Sequence, residues 1–259
     1  MNRPFSPPIV LCFSGLDPTG GAGIQADIEA IGQHGCHATP IITANTVQDT
    51  QNVASFEPVD AELILKQART VFNDMPIKAI KIGMLGSGEV AEAIFTLIRQ
   101  YPEIPVIYDP VLFAGGGSSL AYKNLLDAIR TLIIPNTYLL TPNIPEALHL
   151  TNQKVSAEAA ALHLNNMGAE YVLVTGTHAK NRNVIHKLYH TLKCTETYTY
   201  NRLDNVYHGS GCTLAASAAA LIAQDIEPIN ACQNALDYTY RSLLKAHRLG
   251  RGQLIPNRL

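Results

Sequence analysis

Short apolar runs rich in Val and Ile alternate with stretches of helical period along almost the whole chain, and that rhythm leaves few folds open. Ile9–Phe13, His37–Thr43, Ala79–Ile82, Val106–Tyr108, Tyr138–Leu140 and Tyr171–Val174 read as strands, and Val53–Phe56 as a short edge strand. Between them, Ile24, Ile28 and Ile31 recur at helical spacing. Ile64, Ala68, Val71 and Phe72 share one helix face, and Val90, Ile94, Leu97 and Ile98 mark another. His186–His190 and Thr195–Tyr200 suit an antiparallel pair, followed by helices over about Gly211–Gln224 and Pro228–His247. This alternation predicts an α/β fold with a mostly parallel central sheet and helices on both faces. With no repeat, low-complexity segment or linker in sight, residues 1–259 are expected to form one domain. Ligands in such sheets bind beyond the carboxyl ends of the strands, where Asp17, Gly83, Asp109, Thr141–Asn143 and Thr175–Gly176 fall.

A net charge of −2 provides no basic field, so no nucleic-acid partner is expected. No apolar run approaches the ~20 residues needed to span a bilayer, so no membrane association is expected either. The opening residues, with prolines and Asp17 around a short apolar stretch, suit a tail feeding the first strand better than a signal peptide, which implies a cytoplasmic protein. Five scattered cysteines with no CxxC pair read as free thiols, and no zinc-finger spacing of Cys with His appears.

Four segments carry chemistry. His208-Gly209-Ser210-Gly211-Cys212-Thr213 runs into a helix of small residues, so its backbone N–H groups and the helix start form either an anion hole or a plain Gly-rich helix start with an inert cysteine. In the first turn of that helix, the Cys212 thiol is expected to shift towards thiolate. Gly15 to Asp27 leaves the first strand with a Gly-Gly-Ala-Gly run that does not fit GxGxxG, which disfavours a dinucleotide-binding dehydrogenase. Close approach to a small substrate is the better reading, with Asp17 and Asp27 as acceptors or as an ordinary turn starter and a solvated helix residue. Asn143 and Glu146 suit either Mg²⁺ held through oxygen ligands or a capping box. Asp109 ends a strand at the same rim, as a Mg²⁺ or phosphate organiser or a turn starter.

Taken in order, GLDPTGGAGIQADIEA, TANTVQDT, KIGML, DPV, TPNIPEA, VTGTH and HGSGCT resemble the hydroxymethylpyrimidine and phosphomethylpyrimidine kinases of the ribokinase-like superfamily, over nearly the whole chain. The resemblance implies a ribokinase-like fold and ATP-dependent phosphorylation of 4-amino-5-hydroxymethyl-2-methylpyrimidine, its monophosphate or both in thiamin biosynthesis. It implies ATP and Mg²⁺ as cofactors, and a homodimer. It places the anion hole on Gly209, Ser210, Gly211 and Cys212, and the pyrimidine against Gly15, Asp27, Gln48, Met84 and Val111. Asn143, Thr175 and Gly176 would face the nucleotide, and Asp109 and Glu146 the metal. On its residues alone, Met84 is as well explained by core packing.

The chain departs from the pattern at Leu16, at Ala114-Gly115-Gly116-Gly117 and at Thr175-Gly176-Thr177-His178, where two phosphate-facing lysines are absent. Each charged donor contributes ~1.5–3 kcal/mol, so weaker nucleotide handling is expected. Arg251 is either a phosphate contact or a solvated residue. Leu112–Ser119 and Thr177–Asn183 are lid candidates. Two alternatives stand beside the pyrimidine kinase: a pyridoxine or pyridoxal kinase of the same branch, and a catalytically weak pyrimidine-binding descendant.

Overall fold

The computed structural model describes residues 6–112, 123–152, 156–177 and 182–259. The lid candidates lie partly, and Ala114–Gly117 and His178 wholly, outside them.

Strand β1 (Ile9–Leu16) is apolar on both faces and lies between parallel β2 (His37–Gln48) and β4 (Ile77–Ile82). Helix α1 (Gly23–Gln33) makes the first crossover. Strand β3 (Val53–Pro58) folds back antiparallel on β2 as an edge, and α2 (Ala61–Asp74) returns the chain to β4 on the other side of β1. The sheet then grows in one direction through α3 (Gly88–Ile98), β5 (Val106–Tyr108), α4 (Lys123–Ala128), β6 (Leu139–Leu140), α5 (Ile144–Thr151), α6 (Ala157–Asn166) and β7 (Tyr171–Val174). The antiparallel hairpin β8 (Asn183–His190) and β9 (Lys193–Asn201) closes the far edge, and α7 (Ser210–Ile222) and α8 (Pro228–Leu244) end the helical layer. The order is β3-β2-β1-β4-β5-β6-β7-β8-β9, parallel from β2 to β7. Strand order reverses between β1 and β4, which opens the crevice of a doubly wound sheet.

The alternation of side chains along β1 divides the core. Leu11 and Phe13 face the α2, α3, α5 and α6 layer, while Val10 and Cys12 face α1, α7 and α8. The β1, β4, β5 and β7 readings and the β8–β9 pairing agree with the expected runs. Strand β2 continues five residues beyond Thr43 to reach Gln48 over the crevice. The expected face of α1 is rotated: Ile24, Asp27 and Ile31 are buried, whereas Ile28 is exposed. Among the described residues, no helix is long and apolar enough to cross a membrane.

Candidate active site

Two Gly-rich loops meet backbone to backbone at the crevice. Gly209 caps α7 at φ 76°, and a Cβ there would lie 1.9 Å from the carbonyl oxygen of Gly21. Only glycine closes this approach. Asp17 ties the same loops together. One carboxylate oxygen accepts from the Thr19 N–H and hydroxyl at 2.8 Å each, and the other accepts from the Ala22 N–H at 2.8 Å. His208 Nε2 reaches the latter oxygen at 2.9 Å. Burial alone would raise the Asp17 carboxyl, but the bonds from His208 and Thr19 outweigh it and hold it below the usual range.

From the opposite side comes Arg258, which is 2% exposed. Its guanidinium donates to the Thr213 hydroxyl at 2.8 Å, to the carbonyls of Gly20 and Gly21, and to Glu29 at 3.1 Å. Arg251, the arginine singled out in the sequence, is exposed and does not line the cavity.

Gly209, Ser210, Gly211 and Cys212 all line one cavity of about 690 Å³. The Cys212 thiol donates to Asp109 and accepts the Gly23 N–H. Burial, followed by the Asp109 carboxylate, pushes it up to about 12. This reverses the expected drift towards thiolate, because burial, with the Asp109 carboxylate behind it, outweighs the helix start.

Asp109 is itself pushed up by burial, and its Oδ2 has no partner among the described residues. Glu146 forms the capping box with Asn143, its Oε2 accepting the Asn143 N–H at 2.9 Å. It also lines the cavity, and burial and Asp109 push its carboxyl up to about 8. The two readings of this pair are therefore compatible. Two enclosed carboxylates, one with an orphaned oxygen, suit a cation that takes few protein ligands and keeps waters. No cluster of three or more His, Cys, Asp or Glu residues suited to a metal occurs among the described residues. The donor set fits Mg²⁺ shared with phosphates rather than a protein cage.

Asp27 does not reach the cavity. It is fully buried beneath it and paired with Lys81 Nζ at 2.8 Å, with the Ser14 hydroxyl completing a closed triad. Burial works against the Lys81 ammonium, but Asp27 more than compensates and raises it. The triad fixes β1, α1 and β4 to one another below the Gly-rich loop. Gly15, Gln48, Met84 and Val111 do line the cavity. Met84 packs with Val53 and Val111, and its sulfur lies 3.2 Å from where a Gly15 Cβ would sit. Gln48 Nε2 donates to Thr46 Oγ1 at 2.7 Å, leaving a flat apolar slot with an amide at its rim.

Thr175 lines the cavity beside Asn143, to which it is bridged. Gly176 packs against β8 instead, where a Cβ would lie 1.9 Å from the Ile185 carbonyl oxygen. Lys81 was legible in one respect: a charge inside a buried strand run demands a partner. Arg258 and His208 carried no comparable local signal.

A doubly wound sheet with an anion hole at a helix start and two carboxylates at the strand ends defines a phosphotransferase of ribokinase-like fold. The family model described as phosphomethylpyrimidine kinase matches residues 17–257, and the chain belongs to that family. A hydroxymethylpyrimidine/phosphomethylpyrimidine kinase from Rhizobium meliloti is 33% identical over 95% of this chain and 94% of its own length. The bifunctional thiamine biosynthesis protein ThiED of Geobacter sulfurreducens is 34% identical, and the chain spans 52% of its length. Among solved structures, the Clostridium difficile phosphomethylpyrimidine kinase matches with TM-score 0.79 and 28% identity over 91% of this chain and 99% of its own. A Bacillus subtilis pyridoxal kinase solved as an ADP complex matches with TM-score 0.88 and 25% identity over 98% of both chains.

Proposed function

We propose that the chain transfers the terminal phosphoryl group of Mg²⁺-ATP to 4-amino-5-hydroxymethyl-2-methylpyrimidine, its monophosphate or both, in thiamin biosynthesis. The observation that carries this reading is the seating of the Gly209–Cys212 anion hole and the Met84–Val111 slot in one cavity. An aminopyrimidine offers two apolar faces for Met84 and Val111 and a polar edge for the Gln48 amide. A hydroxyl directed from that slot towards Cys212 meets the backbone N–H groups that receive the phosphoryl group. Cys212 keeps its proton at neutral pH and orients Asp109. Phosphoryl transfer depends more on positioning and charge than on a strong base, so a protonated thiol is compatible with turnover. Asp109 and Glu146 would hold Mg²⁺, which when bound supplies positive charge to the phosphates. Asn143 and Thr175 would face the nucleotide.

The test is ADP release with Mg²⁺-ATP and, in parallel, the pyrimidine alcohol, its monophosphate and pyridoxal. Turnover on either pyrimidine supports the reading. Turnover on pyridoxal alone transfers it to the second reading, which the fold match to the pyridoxal kinase favours. Binding without turnover on all three refutes both and leaves the catalytically weak binder. The homodimer is read from sedimentation of the same preparation.

A further inference from the structure

The two Gly-rich loops that meet at Gly21 and Gly209 are gripped from behind by one side chain. After α8 the chain pairs with the segment entering α7, where the Leu254 carbonyl accepts the His208 N–H at 2.8 Å and the Leu254 N–H donates to the Val206 carbonyl at 2.9 Å. The Tyr238 hydroxyl donates to the Arg258 carbonyl at 2.8 Å, and the Asn257 N–H donates to the Ser242 carbonyl at 3.0 Å. These bonds seat the fully enclosed Arg258 side chain among α1, α7 and the loop ahead of α1.

The guanidinium reaches both loops. One arm is direct: Nη2 donates to the Gly21 carbonyl. The Ala22 N–H of the same peptide donates to Asp17 at 2.8 Å, so that peptide is held at both ends. The Gly23 N–H beyond it meets the Cys212 sulfur, and Ala22 and Gly23 both line the cavity. The other arm passes through Thr213, fully buried in the first turn of α7. Nε donates to its hydroxyl at 2.8 Å, and that hydroxyl donates to the Gly209 carbonyl at 2.8 Å. An arginine fork serves divergent acceptors at once, which neither a lysine nor a neutral side chain reproduces. The counter-ion Glu29 lies 3.1 Å away and is 24% exposed, so the cost of enclosing the cation is only partly offset. Arg258 does not line the cavity, and it can act on the reaction only through the peptides it holds.

We propose that Arg258 is a positioning residue for phosphoryl transfer: by holding the Gly21 and Gly209 peptides against each other, it keeps the N–H groups of Gly209–Cys212 aimed at the transferring group. This rests on the kinase reading above. An anion hole made of backbone N–H groups cannot re-aim them by turning a side chain, so their direction is set by what holds the neighbouring carbonyls. Such donors lower the barrier only when they are fixed before the reaction begins. The Met84–Val111 slot and the Asn143 and Thr175 side of the cavity belong to other elements, and they keep their shape whether or not Arg258 is present. The role therefore predicts a loss in kcat with both KM values kept, which destabilisation elsewhere in the fold does not produce.

Steady-state ADP release, with Mg²⁺-ATP and whichever acceptor wild type turns over, is measured for wild type, Arg258→Met, Arg258→Lys and Leu97→Ala. Leu97 is fully buried in α3, on the far side of the sheet, and its truncation supplies a destabilised protein with the anion hole intact. Circular dichroism sets a temperature at which all four are folded. Arg258→Met should lose about 100-fold in kcat, with both KM values within about threefold of wild type. Arg258→Lys should lose about tenfold, since an ammonium keeps the charge but not the fork. Leu97→Ala should keep kcat within about threefold of wild type. In a double-mutant cycle, Gly209→Ala and Arg258→Met together should lose far less than the product of their separate losses, because both open one contact. A kcat for folded Arg258→Met within about threefold of Leu97→Ala, a loss confined to KM, or losses that multiply in the cycle would each overturn the proposal and leave the kinase reading standing. Wild type that turns over none of the pyrimidine alcohol, its monophosphate and pyridoxal overturns the kinase reading and this proposal with it. If Arg258→Met does not fold, Arg258→Lys takes its place in every comparison and decides by the same outcomes.

Discussion

Gly209→Ala separates the geometry of the anion hole from ordinary glycine strain. At φ 76° an alanine is disfavoured by about 1–2 kcal/mol whatever surrounds it. The added Cβ would also lie 1.9 Å from the Gly21 carbonyl oxygen and 2.9 Å from the Ala22 Cα. Ordinary contact begins at 3.4 Å, so the two loops would have to part by an ångström or more. The Gly21 carbonyl cannot yield easily, because it accepts from Arg258 on its other side. Displacements of about 1 Å at a reacting centre cost on the order of 100-fold in rate. Gly35→Ala is the control: φ there is 72°, and no atom lies within 4 Å of the added Cβ. It carries the same backbone strain without the clash. Gly35→Ala is expected to lower stability by about 1 kcal/mol and keep turnover near wild type. Gly209→Ala is expected to lower kcat/KM about 100-fold beyond that control. Urea denaturation and the ADP-release assay read the two quantities separately. Turnover of folded Gly209→Ala within threefold of Gly35→Ala would refute the claim that this loop contact sets the anion hole.

Lys81→Met leaves the Asp27 carboxylate buried and unpaired and should destabilise by about 3–5 kcal/mol, with the Lys81→Met/Asp27→Leu double variant less damaged than the single; additive losses in urea would argue against a coupled pair. Glu146 keeps its proton when folded up to about pH 8, against an ordinary value of 4.5, so its contribution to stability should fall as pH rises between those values. The melting temperature of wild type minus that of Glu146→Gln should therefore decline from pH 5 to pH 8, and a flat difference would contradict the assignment. Arg258→Met should lose about 2–3 kcal/mol while Arg251→Ala stays within about 0.5 kcal/mol, read by urea midpoints, and equal effects would sink the distinction. Cys212→Ser should show the same pH–rate profile as wild type between pH 6 and 9, since the thiol is pushed up to about 12; an acidic limb lost with the thiol would show that it titrates in turnover.

The fold was legible where a segment is buried on both sides. Val106–Tyr108 and Tyr171–Val174 are apolar without a break and match their strands residue for residue. Strand β2 was legible only to Thr43, because the rest, Ala44 to Gln48, alternates at the half-exposed rim of the crevice and reads as loop. The position of Asp27 is instructive. Ile24, Asp27 and Ile31 stand at i, i+3 and i+7, so the carboxylate lies on an apolar helix face, and Lys81 lies within an apolar strand. Two opposite charges placed on buried positions of adjoining elements are each other's natural partners. Arg258 is a different case. Its partners Thr213, Gly21 and Glu29 are remote in sequence, and no local period reports such a contact.

The departures noted in the sequence acquire a physical sense from the charges around the cavity. Among the described residues, no lysine lines it; Arg202 does, donating to the Thr177 carbonyl at 2.9 Å. Asp17, Asp109 and Glu146 line it as well, so the wall is acidic where a polyphosphate must bind. Asp17 stays ionised because His208 and the loop N–H groups satisfy it, whereas Asp109 and Glu146 are pushed towards their protonated forms. An acidic wall receives an anion only if something positive arrives with it or protons are retained. The two destabilised carboxylates would meet that condition by holding a divalent cation that enters with the nucleotide. Backbone N–H groups at Gly209–Cys212 supply the remaining complementarity, and they carry no charge that would bind a phosphate in the absence of the metal. On the proposed function, nucleotide binding in this chain would be coupled more tightly to the cation than in a site with phosphate-facing lysines.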